Sequence, residues 1–140
     1  MTFTFHHAAI SVRDLEASMN FYGQLGFKEV HRYDAPDESV AIVHLALKDA
    51  MLELFCFSNA ETSSAATTIE KDLPIVGLKH IALQVDSIRA AQESLSNSGL
   101  AQDPVIALGR TGIEYFFIQD PDGLWVEIVQ DDRALEVDSE

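Results

Sequence analysis

Two histidine–glutamate pairs recur in this chain at almost the same spacing. His7 precedes Glu53 by 46 residues, and His80 precedes Glu127 by 47. Each histidine opens an apolar, strand-like run. Each glutamate is the one charged residue in another: Met51-Leu52-Glu53-Leu54-Phe55-Cys56-Phe57 and Leu124-Trp125-Val126-Glu127-Ile128-Val129. A carboxylate in such a strand is unfavourable unless a cation or a set of hydrogen bonds accompanies it, or it takes up a proton. Period-two alternation places Glu53 on the face of Met51 and Phe55, and Glu127 on the face of Trp125 and Val129. Two imidazoles and two carboxylates suit one divalent first-row metal, with positions left open for water or substrate. The donor types do not choose among Ni, Co, Zn, Mn and Fe.

Each of these residues alone has a plainer reading. A lone strand histidine is usually a satisfied core or edge residue, and a lone buried glutamate usually pairs with Arg or Lys. The chain has nine Lys plus Arg, and none falls at an inward strand position. Agreement of all four residues across an internal repeat favours the metal. His6 competes with His7, but only His7 aligns with His80. His31 and His44 have no counterpart in the other half and read as surface or edge residues. Cys56 faces away from Glu53 by alternation and reads as a small packed hydrophobe, not a nucleophile.

The elements that position these residues follow from the repeat. A shift of 73 residues superposes His7 on His80, Ala9 on Ala82, Val12 on Val85, Ala17 on Ala90 and Gly26 on Gly99. A shift of 74 superposes Leu52-Glu53-Leu54 on Val126-Glu127-Ile128. The chain reads as two copies of one βαβββ module in an α+β fold. In module one, strands are expected near Phe5–Val12, Glu29–Tyr33, Val40–Leu47 and Met51–Phe57. In module two they are expected near Leu78–Val85, Val105–Leu108, Ile113–Gln119 and Leu124–Gln130. Asp14 and Ser87 are the expected helix N-caps, and Gly26 and Gly99 the stops. Asp120-Pro121-Asp122-Gly123 is a turn in which Pro presets φ and Gly accepts a left-handed conformation. Module one spans about 1–57, a Ser/Thr/Ala-rich linker 58–73, module two 74–130 and an acidic tail 131–140.

With 140 residues and 47% hydrophobic content, one globular domain is expected. The net charge of −14 argues against nucleic acid, whose binding rests on phosphate neutralisation, and against anionic membranes. No apolar run approaches the length of a membrane helix. The single cysteine excludes an intrachain disulfide, and the N-terminus lacks a basic then apolar leader, so a cytoplasmic location is expected.

The run His7-Ala8-Ala9-Ile10-Ser11-Val12-Arg13-Asp14-Leu15, followed by Phe21-Tyr22 and Leu25-Gly26-Phe27, resembles the opening of the vicinal oxygen chelate superfamily. Gly77-Leu78-Lys79-His80-Ile81-Ala82-Leu83-Gln84-Val85-Asp86 and Asp120-Pro121-Asp122-Gly123-Leu124-Trp125-Val126-Glu127 resemble its second-module signatures. The superfamily includes glyoxalase I, bleomycin-resistance proteins, methylmalonyl-CoA epimerase and extradiol dioxygenases. The resemblance implies paired modules forming an open barrel-like sheet around one divalent metal held by His7, Glu53, His80 and Glu127, in a homodimer whose site is often built between chains. It implies a glyoxalase I-like lyase or isomerase acting on a small molecule with adjacent oxygens, by proton transfer through an enediolate. Glu127 is then the expected base, with Glu53 the other candidate. Tyr115, Phe117 and Trp125 are candidates for the pocket wall, and Arg110 for anchoring a substrate carboxylate. A metal-independent ligand-binding resistance protein and a non-haem iron dioxygenase are the alternatives. The chain departs from the glutathione-binding pattern of bacterial glyoxalase I at two positions. Ser11 stands four residues after the first His, where that pattern has Arg, and Phe57 four after the first Glu, where it has Asn.

Overall fold

A computed structural model describes residues 1–62 and 68–133. The middle of the expected linker and most of the expected acidic tail lie outside the described residues. The chain divides into two compact units, Met1–Ala65 and Ala66–Glu140.

The first unit runs β1 (Ala8–Ser11), α1 (Leu15–Gln24), β2 (Lys28–Asp34), β3 (Val40–Leu47) and β4 (Ala50–Phe57). The second opens with α2 (Ile69–Asp72) and continues β5 (Ile81–Gln84), α3 (Ile88–Asn97), β6 (Ala107–Leu108), β7 (Glu114–Gln119) and β8 (Trp125–Gln130). Each unit carries a four-stranded open sheet, ordered β1-β4-β3-β2 in one and β5-β8-β7-β6 in the other. β1 pairs with β4, and β5 with β8, in parallel, while the remaining pairs are antiparallel. The parallel pairing needs a long crossover, which the helix and the two intervening strands supply. The expected βαβββ order is therefore present twice, as two open mixed sheets, neither closed on itself.

The helix ends follow the local chemistry. The Asp14 carboxylate accepts from Ala17 N at 3.0 Å, and the Ser87 hydroxyl accepts from Ala90 N at 3.2 Å. Gly26 and Gly99 follow the helices at φ +105° and +77°, a region that L side chains avoid. The Asp120 carboxylate accepts from Asp122 N and Leu124 N, both at 2.9 Å, and holds the turn into β8.

Alternation sorts each sheet into two faces. Val43, Leu45, Leu52 and Leu54 of β3 and β4 are buried, as are Val12, Phe21, Tyr22 and Phe27 of the same unit. In the second unit Phe116, Ile118, Val126 and Ile128 are buried, as is Ile88 of α3. α1 lies against β4 and α3 against β8. The opposite faces hold the half-buried side chains Met51, Glu53 and Phe55 in one unit, and Trp125, Glu127 and Val129 in the other. The alternation expected around each glutamate is the alternation observed.

Three features differ from expectation, one being that β6 is paired only over Ala107–Leu108, while Val105 lies outside it and is exposed. The first strand of each unit is shorter than the apolar run, because pairing begins at Ala8 opposite Leu52 and at Ile81 opposite Val126. Upstream, Phe3 and Phe5 are exposed, and so is Leu78. Within the expected linker, Thr68 caps the single turn of α2 by accepting from Lys71 N at 3.3 Å.

Candidate functional site

In each unit the chain places the histidine one residue before a short parallel strand and the glutamate in the strand beside it. Ala9 is registered opposite Glu53, and Ala82 opposite Glu127. The small side chain in each case leaves the carboxylate room on its face of the sheet. His7 Nε2 lies 3.5 Å from Glu53 Oε1, and His80 Nε2 lies 2.7 Å from Glu127 Oε2. The two pairs foreseen from spacing are therefore in contact, each within its own unit. The Glu53 and Glu127 side chains retain 16% and 19% exposure, enough to meet a ligand and too little for full hydration.

The first unit holds a further histidine that spacing did not reveal. His44 of β3 is registered directly opposite Glu53. Its Nε2 is 2.6 Å from Glu53 Oε2, and its side chain is 23% exposed. The expectation that His44 is a surface or edge residue is thus corrected. β3 is an inner strand, and its hairpin with β4 turns His44 onto the face of the glutamate. His31 is exposed on the edge strand β2, as expected, with its ring centroid 5.6 Å from that of His44. His6 is exposed, and its Nδ1 lies 2.7 Å from His7 Nδ1. One of these two nitrogens must carry the proton. If it is His7, the His7 Nε2 lone pair is left free as a donor to a metal.

The second unit surrounds its pair with aromatic rings. Phe117 occupies the register position opposite Glu127. Its ring stands edge-to-face to His80 at 5.1 Å, to Tyr115 at 5.6 Å and to Trp125 at 6.0 Å. Three of the four proposed pocket residues therefore gather beside His80 and Glu127. Arg110 makes none of these contacts and is exposed in the turn between β6 and β7. Ser11 is exposed on β1, and Phe57 ends β4 with its ring stacked on Phe55 at 6.4 Å. Neither supplies a charged or amide group for a glutathione carboxylate. Cys56 is half-buried, with Sγ 3.6 Å from the Arg13 carbonyl oxygen, consistent with a packing role.

Among the described residues, no cluster of three or more His, Cys, Asp or Glu side chains is arranged to hold a metal ion. Each unit instead presents one imidazole and one carboxylate of the repeat-related set in contact. These are nitrogen and oxygen donors of the kind that borderline divalent ions take. In donor chemistry the residues fit half a ligand set apiece.

Residues 4–128 match the family described as the Glyoxalase/Bleomycin resistance protein/Dioxygenase superfamily. The lactoylglutathione lyase of Schizosaccharomyces pombe is 29% identical over 91% of the chain, and the match spans 45% of that enzyme's length. The ethylmalonyl-CoA/methylmalonyl-CoA epimerase of Cereibacter sphaeroides is 31% identical over 89% of the chain and 96% of the enzyme. The crystal structure of a glyoxalase family protein from Enterococcus faecalis superposes with a TM-score of 0.73 at 27% identity, covering 90% of this chain and 96% of that one.

Proposed function

The chain belongs to the Glyoxalase/Bleomycin resistance protein/Dioxygenase superfamily, and from that premise we propose that it is a metal-dependent, glyoxalase I-like lyase or isomerase. In this reading His7, Glu53, His80 and Glu127 hold one divalent metal, and the active protein is a homodimer. The observation that carries the reading is the paired contact of His7 with Glu53 and of His80 with Glu127 at repeat-related positions. The S. pombe and C. sphaeroides enzymes support the reading from similarity, the one named a lyase and the other an epimerase.

A bound divalent ion supplies Lewis-acid polarisation of two adjacent substrate oxygens, which acidifies the neighbouring C–H. The rest falls to side chains of this protein. Glu127 accepts the proton from carbon and returns it to the adjacent carbon, as a carboxylate held beside the reacting atoms does. Tyr115, Phe117 and Trp125 form an apolar wall that excludes water and so strengthens the electrostatic interactions beside it. Ser11 and Phe57 favour a substrate without glutathione's carboxylates.

Metal content of untagged protein, followed by proton-transfer assays, tests the reading. The assay substrates are the hemithioacetal of methylglyoxal with glutathione, and a 2-methyl-branched acyl-CoA. About one divalent ion per chain is expected. Glu127→Gln is expected to lower turnover by at least about 100-fold, in line with the loss of a positioned base. Protein that takes up no divalent ion at neutral pH sinks the proposal.

A further inference from the structure

The two modules repeat their ligand pairs but not the residue facing each glutamate across the antiparallel ladder. In the first unit that position is His44, opposite Glu53. In the second it is Phe117, opposite Glu127. The Glu53 carboxylate is consequently approached by two imidazoles: His44 Nε2 is within hydrogen-bond distance of Oε2 at 2.6 Å, and His7 Nε2 lies 3.5 Å from Oε1. The Glu127 carboxylate is engaged only through Oε2, by His80 at 2.7 Å; among the described residues no donor meets Oε1. A hydrocarbon ring at the facing position offers no hydrogen bond. The His7 and His44 rings lie nearly parallel, 6.2 Å between centroids at 24°.

We propose that His44 is a positioning residue: it anchors Glu53 as the stationary carboxylate of the site, while Phe117 at the matching register gives Glu127 no second anchor and leaves it the carboxylate that carries the proton. The inference rests on the metal-dependent reading above and adds a division of labour between two otherwise equivalent glutamates. His44 acts through Glu53. A hydrogen bond to one carboxylate oxygen orients the other and keeps its charge directed at a ligand.

The test uses the full-length protein, with cobalt(II) chloride titrated calorimetrically into wild type, His44→Phe, His44→Gln and Glu53→Gln. His44→Phe copies the second module's register residue, and His44→Gln keeps a nitrogen donor near the place of Nε2. Cobalt affinity is expected to fall about 10–100-fold in His44→Phe, as for the loss of other partners that orient a ligand, and to return to within about threefold of wild type in His44→Gln. Unchanged affinity in His44→Phe overturns the proposal. So does a loss in His44→Gln as deep as that in Glu53→Gln, which identifies His44 as a ligand in its own right. Wild-type protein that binds no cobalt overturns the metal-dependent reading instead. The anchoring of Glu53 is then judged on melting temperatures of His44→Phe, Glu53→Gln and the double variant. Non-additive shifts support the pair, and additive shifts overturn it.

Discussion

Truncating Phe117 to Ala removes the ring that touches every other member of the second unit's cluster. Three edge-to-face pairs are lost, with His80 at 5.1 Å, Tyr115 at 5.6 Å and Trp125 at 6.0 Å. Each such pair contributes about 0.5–1.5 kcal/mol beyond simple burial. A fully buried Phe→Ala change costs about 3–5 kcal/mol. Phe117 is half-buried, so the lower end applies. The expected loss is about 3 kcal/mol, or a drop of about 10 °C in melting temperature for a chain of this size. Phe117→Leu keeps most of the buried surface and loses the aromatic part, for about 1.5 kcal/mol. Trp125 is the sole tryptophan in the chain, so its fluorescence during urea unfolding reports this cluster directly. A loss below about 1 kcal/mol for Phe117→Ala would show that the rings are neighbours without being a cohesive wall. The pocket reading of Tyr115, Phe117 and Trp125 would fall with it.

Removing the helix caps by Asp14→Ala or Ser87→Ala is expected to cost about 1 kcal/mol each in thermal melts; no loss in either would mean that the capping bonds are fully replaced by water. Ser18 is fully buried, and its hydroxyl has no partner among the described residues. Ser18→Ala should therefore be neutral or stabilising by up to about 1 kcal/mol, and a clear destabilisation would reveal a partner for the hydroxyl. Gly123 has φ +81°, and a Cβ at that position would meet nothing within 4 Å. Gly123→Ala should cost about 1–2 kcal/mol in urea unfolding through backbone conformation alone, and a larger loss would point to a clash.

The glutamates were legible because a single charge in an apolar strand is a local anomaly, visible without the fold. The helix caps and glycine stops were legible for the same local reason. His44 was not. Its pairing with Glu53 depends on the β3–β4 hairpin, where Leu47 faces Ala50 across the two-residue turn Lys48-Asp49. Lys48 adopts φ +52° there, without the Asn-Gly or Asp-Gly sequence that usually announces such a turn. From the Leu47–Ala50 closure, counting outward sets residue 44 against residue 53. The apolar runs overreach the short first strands because hydrophobicity reports an apolar environment, whereas a strand needs a hydrogen-bonding neighbour. Arg110 has the charge to meet a substrate carboxylate, but it is exposed in the β6–β7 turn, and charge alone does not bring a side chain to a site.

That Lys48-Asp49 turn makes the first unit's chemistry depend on parity. One residue inserted between β3 and β4, with the two-residue turn retained at Lys48-Asp49, would slip the register by one and turn every β3 side chain over relative to Glu53. Val43 would replace His44 beside the carboxylate, while the imidazole would enter the helix-side core. The first unit should therefore tolerate substitution at Lys48 and Asp49 far better than any change in their number. Across related chains, the length of this turn is the place to look for the boundary between members that keep a histidine-anchored glutamate and members that have lost it.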